Sequence, residues 1–211
     1  LMGVELPEQA QVDRFLPPCH VPHRLRLDHP TTVGGLTWPK ETAHHRRQIQ
    51  SAMERVPEVL EEALDEFEKV FGRRPDGALR AEWTKDADDV LIACNTMART
   101  ARRLVESRRS AGEKLGLVKL KMFRPFPREE LLDAVGSARR VAVLDRNHSP
   151  GSGGVFWGEV AATFQGRSEV IVQDYVVGLG GGDVTPEVVG KIADDLRTRK
   201  AVGEPEWLEV G

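Results

Sequence analysis

From Asp89 onward the chain alternates between short apolar runs and helix-length amphipathic stretches, and this pattern constrains the fold more than any other feature. Asp89-Val90-Leu91-Ile92-Ala93-Cys94 reads as a buried strand, and Thr96 to Arg109 as a helix with Ala98, Ala101, Leu104 and Val105 on one face. Leu117 to Phe123 is a second strand, Pro127 to Val135 a helix, and Arg140 to Asp145 a third strand. Gly154 to Phe164 is a helix, Glu169 to Gln173 a fourth strand, and Thr185 to Arg199 a closing helix with Thr185 as N-cap and Pro186 at its first position. Strands separated by helices pair in parallel through right-handed crossovers. Residues 76–211 are therefore expected to form a three-layer α/β domain, a mostly parallel sheet with flanking helices.

The first 75 residues follow other rules. Pro7, Pro17, Pro18, Pro22, Pro30 and Pro39 crowd residues 1–40. Proline fixes φ and lacks an amide hydrogen, so this stretch is expected to be an extended arm, neither a regular helix nor a central strand. Val12, Phe15, Leu16, Val21, Leu25 and Leu27 give the arm apolar surface to lay on something. Residues 41–75 are a helical segment in which Ile49, Met53, Val56, Leu60, Ala63, Leu64, Phe67 and Phe71 recur at helical spacing. Pro57 interrupts it and predicts a kink or two abutting helices, and Gly72 is the expected stop.

Composition excludes classes. Thirty Lys and Arg against 33 Asp and Glu leave a net charge of −3, so a nucleic-acid binder driven by overall charge is not expected. No stretch approaches the ~20 apolar residues that span a bilayer, and the start has neither the basic nor the apolar part of a signal peptide. It reads like the middle of a longer gene product. Two cysteines, Cys19 and Cys94, supply neither a disulfide framework nor the four thiolates of an iron–sulfur cluster, and a reducing, cytoplasmic compartment fits.

The candidate sites lie at turns. Ser149-Pro150-Gly151-Ser152-Gly153-Gly154 follows a strand and opens a helix, where free amides and the positive helix end hold anions. It fits neither the dinucleotide fingerprint, since Phe156 stands where the last glycine belongs, nor a P-loop. The alternative is a tight turn needing positive φ. Asp145-Arg146-Asn147-His148 ends the third strand, where a structural Asp–Arg pair would tie down the glycine turn. Gly178-Leu179-Gly180-Gly181-Gly182-Asp183 is a second glycine cluster, with an acid that would repel phosphate. Cys19, His20, His23 and His29 lack the second ligand pair of a zinc site, and His44 and His45 are adjacent, so no metal site is expected. Cys94 precedes a helix, a position that can depress a thiol pKa, though a buried small residue is the commoner outcome. Arg99, Arg102, Arg103, Arg108 and Arg109 make a basic face on one helix, by default a solvated one.

Taken in order, several of these segments resemble one family. Gly116 to Pro127, Val143-Leu144-Asp145-Arg146-Asn147 running into Ser149-Pro150-Gly151, and Gly178 to Gly181 followed by Asp183-Val184-Thr185-Pro186 look like the α chain of pyruvate:ferredoxin oxidoreductase. Val12 to Pro18 and the helix ending Phe71-Gly72-Arg73 are similar to it as well. The resemblance implies a domain like the transketolase C-terminal domain, preceded by an extended arm and a long helix. It implies a mainly structural, subunit-packing role in oxidative decarboxylation of a 2-oxoacid to acyl-CoA. Thiamine diphosphate, magnesium, [4Fe-4S] clusters and coenzyme A would sit mainly on other domains or subunits, which are the expected partners, with ferredoxin reached through them. Arg124 and Asp145 are expected to be structural. Arg146, Ser149, Gly151, Ser152, Gly153 and Gly154 are the candidates for anion or coenzyme A binding, the alternative reading. Two departures stand at strand ends: Cys94-Asn95-Thr96-Met97 replaces a small Gly-Ser-type turn, and Gly182 stands where an Arg is expected.

Overall fold

The computed structural model describes residues 6–21, 24–32 and 34–208. The chain divides into two compact units, Leu1–Pro75 and Asp76–Gly211.

The first unit holds three helices: α1 (Gln9–Phe15), α2 (Pro39–Glu54) and α3 (Val56–Phe71). A helix within the proline-rich stretch departs from the expectation of an arm without one. Residues 8–16 contain no proline, and Glu8 and Gln11 close a reciprocal cap that satisfies the first free amides. Phe15 then meets Phe67 and Phe71 edge-on, with ring centroids 5.4 and 5.6 Å apart, so α1 packs on α3. Pro57 does split the long helical segment. Lacking an N–H for the Met53 carbonyl, it occupies the second position of α3, where no intrahelical donor is needed. Gly72, at φ 70°, ends α3 in the left-handed region.

The second unit is a three-layer α/β domain. Its strands are β1 (Leu79–Glu82), β2 (Asp89–Cys94), β3 (Leu115–Leu120), β4 (Arg140–Asp145), β5 (His148–Ser149), β6 (Gly153–Gly154), β7 (Ile171–Val177) and β8 (Glu206–Leu208). Its helices are α4 (Asn95–Ser110), α5 (Arg128–Val135), α6 (Val155–Thr163) and α7 (Pro186–Thr198). Six strands form one sheet in the order β1-β3-β2-β4-β7-β8, in which only β1 runs antiparallel to its neighbour. The strands alternate sides with period two. Leu91, Ala93, Leu117, Leu144, Tyr175 and Val177 meet α4 and α7 on one face. Val90, Ile92, Val118, Val141, Val143 and Val172 meet α5 and α6 on the other.

The last crossover departs from the right-handed expectation. The connections through α4, α5 and α6 share one hand, because α4 leads leftward across one face and the other two rightward across the opposite face. The connection from β7 through α7 to β8 also leads rightward, but across the α4 face, so its hand is reversed. The physical cause is coverage. The α5–α6 layer already fills one side of β4 and β7, and Ala142, Leu144, Tyr175 and Val177 on the other side need a helix beside α4. Val189, Ile192 and Leu196 of α7, each at 0% exposure, fill that gap.

Two strands sit away from their expected positions. β3 begins at Leu115 because Gly116 lets the backbone pass under Trp83 and Thr84, where a Cβ would stand 3.0 Å from the Trp83 carbonyl oxygen. It ends at Leu120 because the amides of Lys121 and Met122 donate to the Ala78 carbonyl instead. β7 runs through Gln173 and Asp174 to Val177, since both buried polar side chains find hydrogen-bond partners: the Gln173 amide donates to the Glu204 carbonyl at 2.8 Å, and Asp174 accepts from the Gly154 amide. At the amino edge Asp89 and Arg140, aligned across β2 and β4, form an ion pair. Among the described residues no helix is long and apolar enough to cross a membrane.

Candidate functional site

Ligands of open parallel sheets gather at the carboxyl ends of the strands, and the sequence candidates meet there. β4 ends at Asp145, α6 begins at Val155, and the chain between them folds back as the β5–β6 hairpin, His148 opposite Gly154 and Ser149 opposite Gly153. Gly151 (φ 80°) and Gly153 (φ 97°) supply the positive φ that this reversal needs. The Ser152 amide closes the turn on the Ser149 carbonyl at 2.9 Å. Ser149, Gly151 and Ser152 are exposed, whereas Gly153 and Gly154 are buried.

Two buried carboxyls hold this hairpin down. Asp145, 0% exposed, accepts the Asn147 amide at 3.0 Å through Oδ1 and the Phe156 amide at 2.6 Å through Oδ2, with the Trp157 amide at 3.4 Å. Asp174, 1% exposed, accepts the Gly154 amide at 2.7 Å. Of the amides at the start of α6, which an anion in this loop would need, those of Gly154, Phe156 and Trp157 are thus engaged by the protein's own carboxyls. Burial pushes the pKa of both aspartates up, and the backbone donors partly offset it. The Asp145 charge raises Asp174 further, and His148 works against the rise in both. Asp174 Oδ1 and His148 Nδ1 are buried without a hydrogen-bond partner, and the His148 ring lies 4.5 Å from that of Trp207.

A carboxyl whose native pKa lies above its unfolded value stabilises the fold below the unfolded value, about 3.9, and loses that contribution as pH rises through the native pKa. Asp174→Asn keeps an acceptor for Gly154 and cannot ionise. Its stability relative to the parent is therefore expected to rise from pH 4 to pH 7 in urea unfolding. A gap independent of pH would show that Asp174 does not titrate as its burial requires.

The other candidates fall into separate places. Arg146 is not carried into the glycine turn. Its guanidinium turns to the second glycine cluster, donating to the Gly182 carbonyl at 3.3 Å. A Cβ on Gly178 (φ 73°) would stand 3.1 Å from Arg146 Nε and 2.7 Å from Val184 Cγ2. Asp145 is thus held by backbone amides and not by the Asp–Arg pair that the sequence suggested. Arg124 ties the loop after β3 to α6 through Glu159 at 2.9 Å and lies over the Phe123 ring at 4.1 Å.

Cys94 overturns the idea of an activated thiol. Burial and then the Asp145 charge push its pKa up, and Arg146 only partly opposes them. The arginine helix face is engaged in part: Arg109 pairs with Asp86, Arg108 with Glu113 and Asp194, and Arg102 with Glu82. Among the described residues no group of His, Cys, Asp or Glu has the arrangement to hold a metal ion, and His23 lies outside them. The carboxyl edge therefore brings together a strand-end arginine, two glycine turns and two capping acids.

Asp174 was missed in the sequence. Its signal was an acid inside the apolar run Ile171 to Val177, spaced to face inward, with a glycine pair able to approach it.

Comparison with known proteins completes the picture. Residues 87–189 match the family described as pyruvate:ferredoxin oxidoreductase core domain II. The chain is 36% identical over 205 residues to pyruvate synthase subunit PorA of Methanothermobacter thermautotrophicus, which covers 97% of this chain and 52% of that protein. It is 35% identical over 213 residues to ketoisovalerate oxidoreductase subunit VorA of Pyrococcus abyssi, covering 98% of this chain and 54% of that one. The chain thus spans about half the length of the curated relatives it matches. A solved 2-oxoglutarate:ferredoxin oxidoreductase from Magnetococcus marinus aligns with 69% of this chain and 23% of its own at 15% identity and a TM-score of 0.43, too distant a likeness to carry an argument. Through the domain at residues 87–189, the chain belongs to the pyruvate:ferredoxin oxidoreductase core domain II family.

Proposed function

We propose that this chain is part of the α subunit of a 2-oxoacid:ferredoxin oxidoreductase and that its work there is structural, packing thiamine-binding domains and partner subunits together. The observation that carries the reading is the match along nearly the whole chain to subunits named for pyruvate and ketoisovalerate oxidoreductases. The site geometry supports it, since the acids at the carboxyl edge cap the fold's own amides. A [4Fe-4S] cluster and an anion at the α6 start both fit this chain poorly. Two cysteines, Cys19 exposed and Cys94 half-buried, cannot ligate a [4Fe-4S] cluster. A diphosphate or coenzyme A at the α6 start would meet Asp145 and Asp174 in place of free amides. In this reading thiamine diphosphate, magnesium, the clusters and coenzyme A sit mainly on other domains or subunits, and electrons reach ferredoxin through those. The test is reconstitution: the chain alone turns over no 2-oxoacid, and an oxidoreductase assembled without it regains turnover when it is added.

A further inference from the structure

Gly154 stands where two carboxyls converge. A Cβ on it would lie 2.6 Å from Asp174 Oδ1 and 2.7 Å from Asp145 Oδ2, so the two buried side chains crowd one point beside the β5–β6 hairpin. Two carboxyls sharing a buried site do not both ionise at the ordinary value, because the first charge holds the proton on the second. The hydrogen bonds say which of them keeps it. Both oxygens of Asp145 already accept backbone amides, Oδ1 from Asn147 and Oδ2 from Phe156. On Asp174, Oδ2 accepts from Gly154, and Oδ1 is buried without a partner. A charge left on that oxygen is costly, and a proton there removes it.

His148 belongs to the same place. It stands opposite Gly154 across the hairpin, so its side chain leaves on the side where Gly154 would carry a Cβ. Its Nδ1 is buried without a partner, and its ring lies 4.5 Å from that of Trp207 on β8. Of the other charged groups on neighbouring elements, Arg146 turns to Gly182, Glu159 of α6 pairs with Arg124 and Arg128, and Glu206 of β8 pairs with Arg199. The Cys94 thiol at the end of β2 also feels the Asp145 charge. We propose that Asp145 and Asp174 form one proton-binding pair, with a single proton on Asp174 Oδ1, and that losing this proton as pH rises lifts the β5–β6 hairpin off the sheet. Gly153 and Gly154 of the hairpin help to cover both carboxyls, and two adjacent carboxylates gain water when that cover moves. With two residues in each strand, the hairpin has little ladder of its own to resist. Its movement takes His148 off Trp207, which makes Trp207 the natural reporter.

The test is Trp207 emission of the 211-residue chain, taken as the difference from Trp207→Phe, between about pH 4 and about pH 10, with the carboxyl carbon-13 resonances followed in parallel. The expected result is that Asp145 ionises first and that emission changes at the pH where Asp174 follows. Asp174→Asn cannot ionise and should lose the transition. Asp145→Asn removes the neighbouring charge and should move the transition down by about one pH unit or more. If Asp145→Asn does not fold, as judged by circular dichroism, the order of the two carboxyl titrations in the unaltered chain decides. An Asp174 that ionises before Asp145 overturns the proposal, as does steady Trp207 emission while Asp174 ionises. A transition that Asp145→Asn leaves in place overturns the pairing. One that survives Asp174→Asn belongs to His148 and overturns the proposal as well.

Discussion

Asp145→Ala should lower folding stability by about 2–5 kcal/mol, since two backbone amides lose their buried acceptor. The side chain lies at 0% exposure and its two oxygens serve different amides, Oδ1 that of Asn147 and Oδ2 that of Phe156. Alanine leaves both donors without their acceptor, and each group left unsatisfied costs about 1–3 kcal/mol. Asp145→Asn is expected to recover only part of the loss. It offers one acceptor and turns an NH₂ toward the second amide. Urea unfolding with an unchanged m value is the measurement. A loss under about 1 kcal/mol, the surface-residue range, would mean that water reaches these amides.

Gly154→Ala is expected to cost about 3 kcal/mol, at the upper end for overpacking a tight interior. A Cβ there would sit 2.6 Å from Asp174 Oδ1 and 2.7 Å from Asp145 Oδ2. The backbone is not the obstacle, because Gly154 has φ −64° and ψ 141°, angles that alanine adopts freely. At such a site the substitution would otherwise stabilise by about 0.4–1 kcal/mol through the unfolded chain. Gly151→Ala is the control. Its φ is 80° with open space around the missing Cβ, so it should cost only the ~1–2 kcal/mol of a left-handed alanine. If the two variants lose equal stability, the close approach of the acids is not what requires glycine at 154.

These two residues mark how far the sequence could be read. Asp145 was found because it ends a strand whose bounds, Arg140 to Asp145, follow from local apolarity alone. The same holds for Asp89 to Cys94 and for the last helix, where Thr185 accepts the Val188 amide as its cap. Asp174 escaped because its partner is the amide of Gly154, and nothing local says that a polar residue in a strand will find a donor on a distant turn. Arg146 was assigned to the nearest glycine turn in sequence, whereas the fold takes it to Gly178 and Gly182 after β7. Local pattern reports a residue's own element. It does not report which neighbouring strand end the side chain will face. The reversed crossover through α7 escaped for a related reason, since it depends on which face of β4 and β7 was left uncovered.

The most direct test of the proposed role is 2-oxoacid-dependent, coenzyme A-dependent reduction of ferredoxin. It is measured for the chain alone, for the other oxidoreductase polypeptides without it, and for the two combined. The expected result is no turnover by the chain alone and turnover restored on combination. Decarboxylation of a 2-oxoacid by the chain alone, or full turnover without it, would contradict the account.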